Sequence, residues 1–114
     1  MTYNLPIKFY LKGSGRSPVE EFIGACSLDL RQDFVDALSL LSQGKTLSMP
    51  HSRNLSSIHP GLHELRLKDR HGQVRVFYFI KKGEAIYMLH AFLKKTQDLP
   101  GKEIAIVFNR LSEV

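Results

Sequence analysis

The chain has 114 residues, 43% of them hydrophobic and 24% charged, with a formal net charge of +5. That length predicts one domain, residues 1–114, with a single modest core. No apolar run approaches the ~20 residues that cross a bilayer, so no membrane partner is expected. The single cysteine, Cys26, excludes an internal disulfide and reads as a buried thiol inside a helix.

The start, MTYNLPIKFYLKG, lacks a basic leader ahead of a long apolar stretch, so no secretory signal is expected and a cytoplasmic location is. Residues 5–11, LPIKFYL, read as a short first strand, with Pro6 tolerated near its start. After GSGRS, the run Ser17-Pro18-Val19-Glu20 is a helix start. Ser17 suits the cap, Pro18 the first helical position, and Glu20 the reciprocal bond of a capping box. This helix is predicted over 18–26. A second follows over 28–43, where Leu30, Phe34, Ala37, Leu38 and Leu41 recur at helical spacing and Gly44 suits a left-handed stop. Two helices so closely joined must cover an apolar surface, and the coming sheet supplies it.

Residues 45–61 are rich in Pro, Ser, Asn and Gly and predict a loop, with a brief extended piece at Ser52–Leu55. Strands follow near 62–68, 74–80 and 85–93, joined by DRHG and KKGE, where Gly72 and Gly83 supply positive φ. Connections this short force antiparallel pairing. Pro100 then starts a last helix, with Ile104, Val107, Phe108 and Leu111 as its apolar stripe. The order β-α-α-β-β-β-α describes an α+β domain, a small antiparallel sheet packed by a helical hairpin and a C-terminal helix.

Charge is unevenly placed. Residues 1–50 carry five Lys/Arg and five Asp/Glu; residues 51–114 carry eleven and six, and hold all five histidines. A neutral scaffold followed by a basic half points to a surface that faces a polyanion. Period-2 alternation puts Glu64, Arg66 and Lys68 on one strand face, Arg75 with Phe77 and Phe79, and Ile86, Met88, His90, Phe92 and Lys94 together. The central strand is apolar on both sides, so Arg75 needs a partner or a cleft. Either Glu64 pairs with it across the hairpin, or Arg66 and Arg75 clamp a phosphate with their planar forks of donors; the two readings are compatible. Lys94 and Lys95 at a strand end read as a solvated edge or as further phosphate contacts. His90 and Tyr78 read as core residues or as site residues, and a buried Tyr78 hydroxyl needs a partner. The other histidines lack the spacing of a structural zinc site, so no metal and no cofactor is expected. A phosphate-cradling glycine loop and a Gly-x-Ser-x-Gly elbow are both missing, which disfavours nucleotide-dependent transfer and serine hydrolysis.

Four segments carry a resemblance: Gly61-Leu62-His63-Glu64-Leu65-Arg66, Arg75-Val76-Phe77-Tyr78, Leu89-His90-Ala91-Phe92-Leu93-Lys94-Lys95-Thr96-Gln97 and Pro100-Gly101-Lys102-Glu103-Ile104. With Ser52-Arg53-Asn54-Leu55 before them, they resemble in order and spacing the HigB-like branch of the RelE/ParE toxin superfamily. The resemblance implies a RelE-like fold and the toxin of a type II toxin–antitoxin pair. It implies a metal-independent endoribonuclease that cleaves mRNA in the ribosomal A site, and neutralisation by a helix-turn-helix, HigA-like antitoxin. Carried over by position, Arg66, Arg75 and Lys94 fall where relatives place site cations or acid/base residues. Arg53 falls on the basic loop position, and Tyr78 and His90 match motif positions without an assigned role. Strand faces and resemblance together give the expected set: Arg66, Arg75, Lys94, Tyr78 and His90 for catalysis, and Arg53, Glu64, Lys68 and Lys95 for RNA contact. Many relatives have Trp where this chain has His63, which leaves open whether His63 packs or takes part. Proton transfer is open among Lys94, His90 and Glu64. A gyrase-poisoning ParE-type toxin and a non-catalytic module that binds RNA or a partner are the alternatives.

Overall fold

The computed structural model describes residues 4–95 and 101–114. Pro100, expected to open the last helix, and Thr96 and Gln97 of the third motif lie outside the described residues. The elements are β1 (Ile7–Phe9), α1 (Pro18–Gly24), α2 (Leu28–Ser42), β2 (Ser52–Asn54), β3 (Leu62–Asp69), β4 (Gly72–Lys81), β5 (Ala85–Lys94) and α3 (Gly101–Leu111). They form the α+β architecture expected from the sequence, with the extended piece at 52–54 realised as a fifth strand.

Local chemistry starts both helices. The Ser17 side chain accepts from Glu20 N at 3.3 Å and Pro18 opens α1; Ser27 accepts from Leu30 N at 3.2 Å to cap α2. The acidic residue that pairs at the first of these starts is Glu21, which takes two bonds from Arg16. Gly44 has φ 82°, as a left-handed stop requires. Cys26 is half-buried rather than buried, with its thiol donating to Phe22 O at 3.4 Å.

The sheet order is β1-β5-β4-β3-β2. Strands β3, β4 and β5 form the expected antiparallel meander. β1 is shorter than 5–11 and pairs in parallel with β5, Ile7 opposite Ile86. Hairpin logic does not reach that pairing, because β1 and β5 are separated by most of the chain. Gly61 precedes β3 with φ 83°, and a Cβ there would stand 2.7 Å from Ile80 O, so only glycine fits the turn that takes Ile80 N onto Gly61 O.

Both faces of the sheet are covered. On one, Val19 and Ile23 of α1 and Leu30, Phe34 and Leu41 of α2 meet Leu65, Leu67, Val74, Val76, Tyr78, Ile86, Met88 and Ala91. On the other, Val107 of α3 meets Leu55, Leu62, Phe77, Leu89 and Phe92. Each fully buried Leu, Val or Phe contributes about 1.5–3 kcal/mol relative to exposure, so the helical hairpin is held mainly by this first cluster. The α3 stripe is narrower than expected. Val107 is buried and Ile104 and Leu111 are partly so, whereas Phe108 is 44% exposed on the flank.

One register shift changes which residues share a face. Phe77 lies opposite His90 but Tyr78 lies opposite Met88, so Leu89 is an extra residue in β5. A bulge reverses the alternation beyond it. Ile86 and Met88 therefore join the helical-hairpin face, while His90, Phe92 and Lys94 join the face of Glu64 and Arg75. The single face expected for Ile86, Met88, His90, Phe92 and Lys94 is divided by this extra residue.

Candidate phosphate-binding face

Directly opposed residues in neighbouring strands project to the same side, so the registers lay out the α3-side face as rows. Arg53, Glu64, Phe77 and His90 form one row. Arg66, Arg75 and Phe92 form the next, and Lys68, Gln73 and Lys94 the third. α3 covers the His90 end through Ile104 and Val107. The remaining part gathers Arg53, Arg66, Lys68, Arg75 and Lys94, and Lys95 follows the last strand residue, exposed.

Glu64 is the centre of the arrangement. It is 0% exposed, and its Oε1 lies 3.8 Å from Arg66 Nε and 3.9 Å from Arg75 Nε. These are ion-pair separations longer than hydrogen bonds. Among the described residues, neither Glu64 oxygen and neither arginine Nε has a hydrogen-bond partner. Burying a carboxylate this deeply is costly without close donors, and among the described residues the two flanking guanidinium groups are what offset its loss of water. The expected Glu64–Arg75 pair is present, and Arg66 shares it.

Arg75 is 3% exposed. Its Nη1 donates to Val74 O at 3.2 Å and its Nη2 to Gln73 Oε1. Burial lowers its pKa, Arg66 beside it lowers it further, and Glu64 opposes both. Arg66 is more open: its Nη1 donates to Met49 Sδ at 3.4 Å and its backbone N to His51 O at 2.8 Å. An open cavity of about 270 Å³ lies over these residues, lined by Pro50, Arg66, Leu67, Lys68, Gln73 and Arg75. A wall with two guanidinium forks and a lysine suits a phosphate.

The other candidates are placed differently. Tyr78 faces the helical hairpin, on the far side of the sheet from Arg75, 1% exposed and bonded through its hydroxyl to Ser52 Oγ at 2.7 Å. His63 stacks on its ring, with centroids 5.1 Å apart. His63 thus packs on the face away from the cations. His90 lies on the cationic face but is engaged by α3: Nε2 is 2.6 Å from Glu103 Oε2, and Nδ1 is 3.3 Å from Arg110 Nη1. Because arginine can only donate, Nδ1 is the acceptor and the proton sits on Nε2, facing Glu103. Arg110 also donates to Leu89 O at 2.7 Å, clasping the bulge. Sequence reasoning missed Gln73, Glu103 and Arg110. Gln73 was detectable, two residues before Arg75 and so on its face. The α3 pair was not, since its partner His90 acquires its orientation from the bulge. Among the described residues no cluster of three His, Cys, Asp or Glu side chains is placed to hold a metal.

The two half-buried histidines, His63 and His90, predict a pH dependence. Desolvation is the largest cause lowering the pKa of both His90 and His63; for His90 Glu103 opposes it and Arg110 adds to it. A histidine whose folded pKa lies below its unfolded value of ~6.5 contributes stability above that value, and the contribution is lost as pH falls through the folded pKa. Thermal melts should therefore show a falling Tm between pH 7.5 and 5, before the carboxylates begin to protonate. A flat Tm across that window would contradict neutral, partly desolvated rings.

The description "Phage derived protein Gp49-like" (DUF891) belongs to a family model that matches residues 21–112, from α1 to the end of α3. No curated protein matches the chain at a significant level. The matched span holds the helical hairpin, the meander and every residue of the cationic face. The chain belongs to the Gp49-like phage-derived protein family, a RelE/HigB-type toxin family.

Proposed function

We propose that the protein is the HigB-like toxin of a type II toxin–antitoxin pair, and that it acts as a metal-independent endoribonuclease on mRNA in the ribosomal A site. The observation that carries this reading is the placement of Arg53, Arg66, Lys68, Arg75 and Lys94 on one sheet face, where Arg66, Lys68 and Arg75 line an open cavity beside a fully buried Glu64. Family membership supports the toxin class.

In the proposed reaction the 2′-hydroxyl attacks the adjacent phosphorus, leaving a 2′,3′-cyclic phosphate and a 5′-hydroxyl. Arginine does not act as the base, because a guanidinium keeps its proton at any working pH. Arg75 and Arg66 stabilise the pentacoordinate phosphorane, and Glu64 holds both guanidinium groups in place from behind. His90 is committed to Glu103 and Arg110, which moves proton transfer toward Lys94, at the open end of the face. Arg53, Lys68 and Lys95 bind the flanking phosphates. Tyr78 acts from the opposite side of the sheet, by tying β4 to β2 through Ser52. The partners in this reading are mRNA, the ribosome and a helix-turn-helix, HigA-like antitoxin.

Induction followed by primer extension tests the reading. New 5′ ends inside translated messages are expected, together with RNA binding that weakens as salt is added. Growth arrest with intact messages and broken chromosomes would favour a gyrase poison instead. Expression with neither effect would leave a non-catalytic binding module.

A further inference from the structure

We propose that Gln73 is a positioning residue of the cationic face: its Oε1 aims Arg75, and its neutrality keeps the surrounding cations free for a phosphate. The inference deepens the ribonuclease reading and rests on it for its kinetic consequences. Gln73, the second residue of β4, lies directly opposite Lys68 on β3 and Lys94 on β5, and two residues along its own strand face stands Arg75. It also lines the cavity with Arg66 and Arg75.

The carboxamide has only one orientation compatible with its neighbour. A guanidinium offers donors and no acceptor, so the group facing Arg75 Nη2 is the oxygen. The Gln73 NH2 then turns away from Arg75, adding a neutral donor beside the cavity. Arg75 is thereby held at Nη2 by Gln73 and at Nη1 by Val74 O, with Glu64 beside Nε. Two Nη hydrogens remain for a ligand.

Charge is the second half of the argument. A residue that accepts from Arg75 between Lys68 and Lys94 meets three cations, and a carboxylate would pair with them most strongly. The chain has an amide there instead. An amide supplies the acceptor that orients Arg75 without cancelling any of the charge that attracts RNA.

Two variants at this exposed position separate the two halves. Gln73→Leu keeps the size and removes the acceptor. Gln73→Glu keeps an acceptor and adds a negative charge. On programmed ribosomes, Gln73→Leu should lower kcat by roughly ten- to a hundredfold with little change in KM, the loss expected for one hydrogen bond to a charged group. Gln73→Glu should instead raise KM, and should weaken binding of a fluorescent single-stranded oligoribonucleotide with a shallower salt dependence. Side-chain nitrogen NMR reads the geometry without any activity. Distinct Arg75 Nη signals in the wild type should average in Gln73→Leu and persist in Gln73→Glu. Unchanged Nη signals in Gln73→Leu, or unchanged oligoribonucleotide affinity in Gln73→Glu, would overturn the proposal. A wild type that cleaves no message would overturn the ribonuclease reading alone, and the NMR comparison would still decide the role of Gln73.

Discussion

Arg75→Ala is expected to abolish growth arrest and to lower message cleavage by about 10²–10³-fold, the scale of losing one preorganised charge-stabilising donor set. Arg75 is nearly fully buried, fixed at both Nη atoms, and faces the cavity from the central strand. Its contribution depends on geometry as well as charge. Arg75→Lys should therefore restore little activity, since a lysine lacks the planar fork that meets Val74 O and Gln73 Oε1 together. The measurement is the yield of new 5′ ends after induction, beside a thermal melt that establishes folding. A folded Arg75→Ala protein that arrests growth as the wild type does would remove Arg75 from the site.

The second large effect concerns stability. Glu64→Ala leaves Arg75 buried without its counter-charge and Arg66 with half its surroundings changed. Breaking a buried pair by removing one partner costs about 3–5 kcal/mol. A drop of this size should appear directly in the midpoint of a urea unfolding curve. The double variant Glu64→Leu/Arg75→Met removes both buried charges, and well-packed apolar replacements for a buried pair are commonly neutral or stabilising. Its stability should recover while cleavage stays lost. That outcome separates a carboxylate kept to hold arginines from one kept to hold the fold. Equal stability of Glu64→Ala and wild type would show that the carboxylate does not compensate Arg75.

Much of the scaffold was legible because its causes are local. Ser17, Pro18 and Ser27 start helices through bonds that span three residues, and Gly44 stops one through its own φ. The meander followed from two short turns with Gly72 and Gly83, at φ 137° and 75°. Alternation in LHELRLK placed Glu64, Arg66 and Lys68 on one face, and the registers agree. The Glu64–Arg75 pair was also foreseeable, because the hairpin connection left little freedom in how β3 meets β4.

The remainder depended on contacts between distant segments. The bulge at Leu89 decides which side His90, Phe92 and Lys94 occupy, yet nothing in YMLHAFLK distinguishes an unbroken strand from one with an extra residue. Arg110 clasps Leu89 O from α3, about twenty residues away in the chain, so the bulge and the helix are settled together. His90 acquires its partners only then, and for that reason its sequence position left a core role and an acid–base role both open. The parallel pairing of β1 with β5 likewise joins segments whose separation leaves no local signal. By itself, then, the sequence determined the helices, the antiparallel meander and the cationic composition of one strand pair, since short-range sterics and periodicity act on neighbours. Only the tertiary structure decided the rest of the candidate cationic face: the pairing of β2 with β3 brought Arg53 to it, and the extra residue in β5 put Lys94 on it and tied His90 to α3, because a one-residue shift in register reverses every side chain beyond it in that strand.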